Sequence, residues 1–589
     1  MKLRVTLMIQ DPDLAPTDVG RLVEDWKGID EDHYLDGPVT PRVAVVDLDP
    51  DTERLDPGAV YLPPTGRRTL GAYRADKTKV TSPHFIQASV FGTVLRTMYM
   101  YEEPDVLGRK VTWGFNAPQL LVVPRAGWWA NAYYERRSHS LQFFSFRAHG
   151  KLVHTSLSRD IVAHETAHAL IDGIDPDIYD ALDPQALALH EGVADLTAVL
   201  IAFRSGALVE AVLDKTGGSI ENSTKFSAIG EQFGREIDPT RKAGWLRNLL
   251  NDDALDPNGD PADEPEAHEL SKVLSGVLYR LMCDLHSNYK TRFAARDHKP
   301  EFEVSGLALF GAAQQFKRMI LRGLDYLPPG EITFADFGRA ILAADQASFP
   351  DDRWRRWLRA NFVKRGIVRS EADLDVKTNV ADPALKDIDL QGLVDSPWVA
   401  YTFAEKNRRL LRIPADAEFE VLPRFVVSKR FDVPGQELER ADALAKGDPD
   451  PVPAAAPDGP PPNAAADQEP SVKELLFKVR WSQPEDNPAD LGGTTTRRVQ
   501  TGTTLVIDWD RRLVRSCLSP GDLKGRRPAR DATLRRLMEQ GLVEVTRPEN
   551  PEAMQPTVGT GIEAVVTNGI LRVRNTARLL HIARDAGDD

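Results

Sequence analysis

Two stretches decide how this chain reads: Arg159-Asp160-Ile161-Val162-Ala163-His164-Glu165-Thr166-Ala167-His168 and, after 22 intervening residues, Glu191-Gly192-Val193-Ala194-Asp195. Leu157 and Ser158 stand as staple residue and N-cap ahead of the first stretch, and Asp172-Gly173 stands as its end, so the spacing predicts a helix. Residues i and i+4 of a helix share a face, which sets the imidazoles of His164 and His168 side by side where both can bind one metal ion. Glu165 lies one position round that helix, beside the open coordination position. A carboxylate there can take a proton from water that a metal has acidified, which is the work of a general base. Leu187 to Phe203 is apolar at helical spacing, interrupted by His190, Glu191, Asp195 and Thr197. Acids inside so apolar a helix need partners, because an unpaired buried carboxylate is costly and metal coordination offsets that cost. Glu191 is therefore the candidate third ligand. Asp195, one turn on, is placed to accept the spare ring N–H of His164 and fix its tautomer. The first motif alone also arises as a His/Glu cluster on ordinary surface helices; the second, acid-bearing apolar helix is what favours a metal site.

On these residues the chain resembles the thermolysin-like zinc metallopeptidases, a branch of the gluzincins, over about residues 83–370. Asp160 to Glu165 is similar to the family's entry into its first zinc helix, and Tyr179 follows His168 at the spacing of the family's transition-state tyrosine. Asn131-Ala132-Tyr133-Tyr134 looks like its substrate-binding edge segment, and Leu246-Arg247-Asn248 like the stretch whose arginine binds the substrate carbonyl. Asp263 with His268 five positions later, followed by Ser275 to Tyr279, resembles its histidine region, and Ile332 to Asp345 resembles its C-terminal helical lobe. The resemblance implies an α+β fold with a two-lobed zincin-like catalytic core, a sheet-plus-helix lobe facing a mostly helical one. It implies one catalytic Zn2+ on His164, His168 and Glu191, with Glu165 as general base. His268 and Tyr179 would donate to the oxyanion, Asp263 would orient His268, and Asn131, Ala132 and Arg247 would bind substrate. Ile161 and Leu246 would line a specificity pocket for an apolar residue after the scissile bond. The chain departs from the pattern in three places. The Asp180–His190 loop is longer, His190 stands where the family has Asn, and Ala202 replaces a calcium-binding Glu, so bound calcium is not expected. A second acidic stretch, Asp256, Asn258 and Asp260, has Pro261 and Ala267 where a calcium loop needs Gly and Glu, and reads as a solvated turn.

At 589 residues the chain is long enough for three or four domains, and 42% hydrophobic with 28% charged residues is ordinary globular composition. A net charge of −14 and the lack of a basic, aromatic-interleaved tract argue against nucleic-acid or membrane-surface partners. Met1 to Asp11 is too short in apolar residues for a secretory signal and reads as a strand, and no run of eighteen apolar residues follows. Cys283 and Cys517 are too few and too far apart for a disulfide framework. A cytoplasmic location is the expectation.

Along the chain, residues 1–82 read as a β-rich or mixed N-terminal segment, and 83–204 as the lobe carrying the metal helices. That lobe holds an amphipathic helix from Phe85 to Tyr101 and strands at Val111–Trp113, Leu120–Val123 and Leu141–Phe146. Residues 205–370 read as helical, with a break at Pro328-Pro329-Gly330 between Leu307–Leu324 and Phe334–Ala344. Residues 371–445 form an extension, 446–471 a Pro/Ala/Asp-rich linker, and 472–589 a small α+β module. That module would have strands at Leu475–Trp481, Val499–Trp509, Leu542–Val545 and Ile570–Val573 and a helix at Asp531–Gln540, with no catalytic constellation; binding a protein partner and presenting substrates both stay open as its use. The function expected is a zinc endopeptidase cutting a peptide or protein substrate. Two alternatives stay open: a catalytically idle metallopeptidase fold acting as a binding scaffold, which retention of Glu165 argues against, and a gluzincin aminopeptidase, for which no Gly-x-Met-Glu-Asn segment is present.

Overall fold

The computed structural model describes residues 3–9, 22–27, 33–148, 150–221, 226, 228–229, 247–348, 352–430, 438, 441, 443, 471–488, 496–539, 562–567 and 570–575. In chain order the elements that place the site are β1 (Leu3–Met8), β2 (Val23–Lys27), β3 (Val43–Val45), β4 (Tyr61–Leu62), β5 (Gly71–Tyr73), α1 (Pro83–Glu102), β6 (Leu120–Val123), β7 (Ala132–Glu135) and β8 (Ser140–Phe143). The helices α2 (Arg159–Ile174), α3 (Pro184–Phe203), α4 (Ala267–Asp297), α5 (Ser305–Tyr326) and α6 (Phe334–Ser348) follow. Then come β9 (Phe419–Val421), β10 (Phe425–Arg430), β11 (Ser471–Asp486), β12 (Thr496–Asp508), β13 (Val514–Leu518), α7 (Arg527–Glu539), β14 (Ile562–Thr567) and β15 (Ile570–Asn575). The fold is α+β.

Two four-stranded sheets, ordered β2-β1-β5-β4 and β3-β6-β8-β7, flank the N-terminal half. Strand β3 runs parallel to β6, with Val43 opposite Leu120 and Val45 opposite Val122. Residues 1–82 thus supply a strand to the sheet that ends at β7, and a boundary at residue 82 would cut through it. Helix α1 was expected to be amphipathic, yet Phe85 to Tyr101 are buried on every side, because the helix packs against β1, β3, α2 and α3 together. Gly92 permits the approach of β1: a Cβ there would lie 2.4 Å from Leu7 Cδ2. Val111–Trp113 is not a strand. The Val111 N–H goes to Glu102 Oε1, its carbonyl accepts from Arg42, and the Trp113 indole donates to the Arg42 carbonyl, so side chains use polar groups that a ladder would need. The expected strand Leu141–Phe146 is split at Phe144, whose N–H turns to the Asn131 carbonyl and Thr155 Oγ1, leaving β8 and a separate strand Ser145–Ala148.

Helices α2 to α6 pack in succession: α2 on α3, α3 on α4, α4 on α5 and α5 on α6. Among the described residues α3 is the one helix long and apolar enough to cross a membrane, and it is buried within the protein along its whole length. Pro328-Pro329-Gly330 breaks the chain between α5 and α6 as expected. Cys283 and Cys517 are free thiols. Asp256, Asn258 and Asp260 lie in an exposed turn, where Asp256 and Asp260 accept from backbone N–H groups two residues on.

The C-terminal part differs most from expectation. One sheet, ordered β9-β11-β12-β15-β14 with β10 also on β11 and β13 on β12, joins strands from both sides of the 446–471 linker. Phe419 pairs with Trp481 and Phe425 with Leu476, so the extension and the C-terminal module form one folding unit. Leu475, Phe477, Val479 and Trp481 face a local core with Leu393, Phe403 and Leu411, while Leu476 and Val506 join the main core. This is the period-two alternation of a sheet covered on both faces. The strand expected at Leu542–Val545 lies outside the described residues, as does the linker up to residue 470.

This sheet docks through Gly330 and Glu331. The Glu331 N–H donates to the Gln500 carbonyl at 3.0 Å, and a Cβ on Gly330, whose φ is +98°, would sit 2.2 Å from that same oxygen, so only glycine fits. The Glu331 carboxylate accepts from the Leu182 and Asp183 N–H groups at 2.9 and 2.8 Å. Burial pushes its carboxyl up to about 7 from the ordinary 4.5, with nearby Arg530 opposing the rise. A raised acid pKa means the native state holds this proton more tightly than the unfolded chain, so its contribution to stability falls as pH rises from below 5 through 7. Wild-type protein is therefore expected to lose stability relative to Glu331→Gln by on the order of 3 kcal/mol across that window. Urea unfolding of both proteins between pH 4.5 and 8 checks this, and parallel curves would refute it.

Candidate metal centre

Helix α2 starts after Ser158, which holds the extended N-cap conformation without a side-chain cap bond. Helix α3 starts after Asp183, whose Oδ1 accepts from Gln185 N at 2.9 Å, with Pro184 at the first helical position. Their packing turns His164 and His168 toward Glu191. The Nε2 atoms of the two histidines are 3.0 Å apart, His168 Nε2 lies 3.3 Å from Glu191 Oε1, and His164 Nε2 lies 3.5 Å from Glu191 Oε2. All three side chains are buried, and their donor atoms lie within 4.8 Å of one another. This group can hold a metal ion.

The other ring nitrogens are engaged as a metal site requires. His164 Nδ1 is 3.0 Å from Asp195 Oδ1. His168 Nδ1 is 2.6 Å from His190 Nδ1, and the two rings stack with centroids 4.7 Å apart. His190 thus meets His168 as Asp195 meets His164. If the Nε2 of His168 is to bind a metal, its proton sits on Nδ1 and His190 Nδ1 accepts it. Burial lowers the pKa of His168 and pushes that of His190 well below the ordinary range, favouring the neutral rings this arrangement needs. Burial alone would raise the Glu191 carboxyl, but its electrostatic interaction with the neighbouring imidazoles of His268 and His168 and its hydrogen bonds with His164 and His168 hold it well below the usual carboxylate range.

No protein-family model matches the chain, and no curated protein is significantly similar to it. What the site can do follows from its own geometry. Glu165 is buried next to the cluster, and its Oε2 accepts the Tyr134 N–H at 3.0 Å. That bond comes from β7, the edge strand of its sheet, which lies along α2. Because backbone orientation repeats every two residues, Ala132 faces the same open side as Tyr134, and its N–H is met by Asn131 Oδ1 at 2.8 Å. The Tyr134 hydroxyl donates to Asp172 Oδ2 on α2 at 2.6 Å, which fixes the strand to the helix at a second point.

The remaining expected residues divide. His268, in the first turn of α4, places Nε2 3.9 Å from Glu191 Oε2 and is partly exposed. Its orienting carboxylate is not Asp263, which is exposed in the turn Pro261–Asp263. Glu266 lies 3.2 Å from His268 Nδ1 instead. As the N-cap of α4, Glu266 folds back over the first turn to accept from the His268 and Glu269 N–H groups, and this brings it to the ring. The capping position just before Ala267-His268-Glu269 was the available sequence signal. Tyr179 is fully buried, packed edge-on against His190 and Tyr134 under the Arg136 guanidinium, and its hydroxyl has no hydrogen-bond partner among the described residues. Burial holds the phenol well above its ordinary pKa, so it stays protonated. Ile161 is buried in the main core. Leu246 lies outside the described residues. The Arg247 backbone pairs with Ile229 in a two-residue strand, and its side chain also lies outside them.

Removing the acceptor behind one ligand histidine loosens its orientation without removing a ligand. Asp195→Ala is therefore expected to weaken affinity for a divalent metal ion 10–100-fold. Competition titration against a chromogenic chelator measures this, and unchanged affinity would contradict the role given to Asp195.

Proposed function

We propose that this chain is a zinc-dependent metalloendopeptidase with a two-lobed zincin-like core, in which α2, α3 and the β3-β6-β8-β7 sheet face the helical lobe of α4 to α6. The observation that carries the reading is a buried His/His/Glu donor set with a fourth carboxylate, Glu165, held at its edge by the amide of an open edge strand. Two neutral imidazoles and a carboxylate are the donor set of catalytic zinc with an open position, so the residues fit this ion. Bound there, zinc would polarise the scissile carbonyl and lower the pKa of water to about 7.

The chain's own residues supply the rest. Glu165, its Oε2 held by the Tyr134 N–H, would receive the proton of the attacking water, and the same carboxyl then returns the proton to the leaving amine. Among the described residues no strand covers the outer edge of β7, so an extended polypeptide can add there, with the carbonyls of Ala132 and Tyr134 on that side while their N–H groups are held by Asn131 and Glu165. His268 would donate to the developing oxyanion from α4, and Tyr179, protonated and without an acceptor among the described residues, would serve the same task. Glu266 rather than Asp263 would orient His268. Polypeptide recognition through backbone groups supports an endopeptidase over a scaffold, because it brings an internal bond past a carboxylate that a scaffold would not need.

Glu165→Gln is expected to keep its zinc and lose about 10²- to 10⁴-fold in kcat on a mixed peptide library. Elemental analysis together with mass spectrometry of the products decides the matter. Internal cuts that vanish in the variant support the proposal, release of single N-terminal residues would favour an aminopeptidase, and no cleavage by zinc-loaded wild type would overturn it.

A further inference from the structure

The C-terminal unit reaches the surroundings of the metal centre most directly through Arg526. Arg526, just ahead of α7, is largely buried and grips two acids from different parts of the chain. Its Nε and Nη2 donate to Asp183 Oδ2 and Oδ1 at 2.8 and 2.6 Å, and its Nη1 and Nη2 donate to Glu264 Oε1 and Oε2 at 2.5 and 2.6 Å. Asp183 is the N-cap of α3, two turns before Glu191. Glu264 stands four residues before His268 and two before Glu266. Gln185, in the first turn of α3, donates from Nε2 to Glu264 Oε1 at 2.7 Å, and Arg536 of α7 donates to the Glu264 carbonyl. Helix α7 also packs on the turn Pro261–Asp263 and on α3. Apart from this clamp, the segment 256–266 that leads into His268 is largely exposed.

We propose that Arg526 is a positioning residue: by binding Asp183 and Glu264 in one guanidinium plane it fixes the lead-in to His268 against the helix that carries Glu191. Resting on the peptidase reading above, it gives the C-terminal unit a part in turnover. The two acids sit on elements that each carry one side of the His268–Glu191 approach, and a planar fork can hold both where a point charge cannot. Loosening the lead-in by an ångström would misplace His268 while leaving the three ligands, which are held by α2 and α3 alone, as they are.

The test uses the full-length chain as Arg526→Ala, Arg526→Lys and Glu264→Gln. The last keeps the Arg526–Asp183 pair and weakens only the link to the His268 segment, so it reports even if Arg526→Ala does not fold. Amide hydrogen exchange in metal-free protein is expected to rise at least tenfold across residues 262–272 in Arg526→Ala and Glu264→Gln, with the exchange of α2 unchanged. Exchange unchanged in both variants overturns the clamp whether or not the protein cuts peptides. With zinc loaded, kcat is expected to fall at least tenfold with KM within about twofold and zinc content intact, and Arg526→Lys to lie between. Loss of zinc in step with activity, or a change in KM alone, would also overturn it. Peptide-inactive wild type with the exchange result intact would refute the peptidase reading and leave the clamp standing.

Discussion

Two carboxylates, Glu191 and Asp195, sit fully buried in the most apolar helix of the molecule, and the fold around them depends on how their burial is compensated. His164 and His168 answer them one turn apart on α2, so the α2–α3 pair can pack in only one register. That register sets the rest. Sheet strand β7 is fastened to α2 through Glu165 and Asp172, and α4 closes against α3 with His268 at its start. A cluster of this kind is a poor way to stabilise a core and a good way to specify one arrangement of it, because any slip leaves a buried charge unpaired.

The part of the site made of short-range pattern was legible from the chain. An i, i+4 pair, an acid between apolar neighbours and a second acid one turn later survive translation into three dimensions because helix geometry is fixed. His190 was visible only as an oddity, since nothing local says that its ring would stack on a histidine of another helix. Asp263 and Glu266 are both carboxylates a few positions before His268, and capping geometry rather than composition decides between them. Helix α1 shows the limit of periodicity: its alternation suggested a wet face, but four elements converge on it and none is left.

Long-range pairing was not legible. Nothing in Phe419–Val421 announces that its partner is Phe477's strand across a linker, and nothing near Arg526 announces two acids more than 250 positions away. Strand register and ion pairs of this separation are settled by the whole fold, so the 371–445 and 472–589 segments looked independent while forming one sheet.

Gly330 carries a consequence for how the molecule is made. The amide after it finds its acceptor only at Gln500, and the carboxylate of Glu331 in turn holds the Leu182 and Asp183 amides. A chain emerging from the ribosome N-terminus first has both α2 and α3 in hand almost 300 residues before that acceptor is synthesised. The loop joining those helices is thus backed, through Glu331, by a strand made long after it, so its surroundings are completed only once β12 has docked.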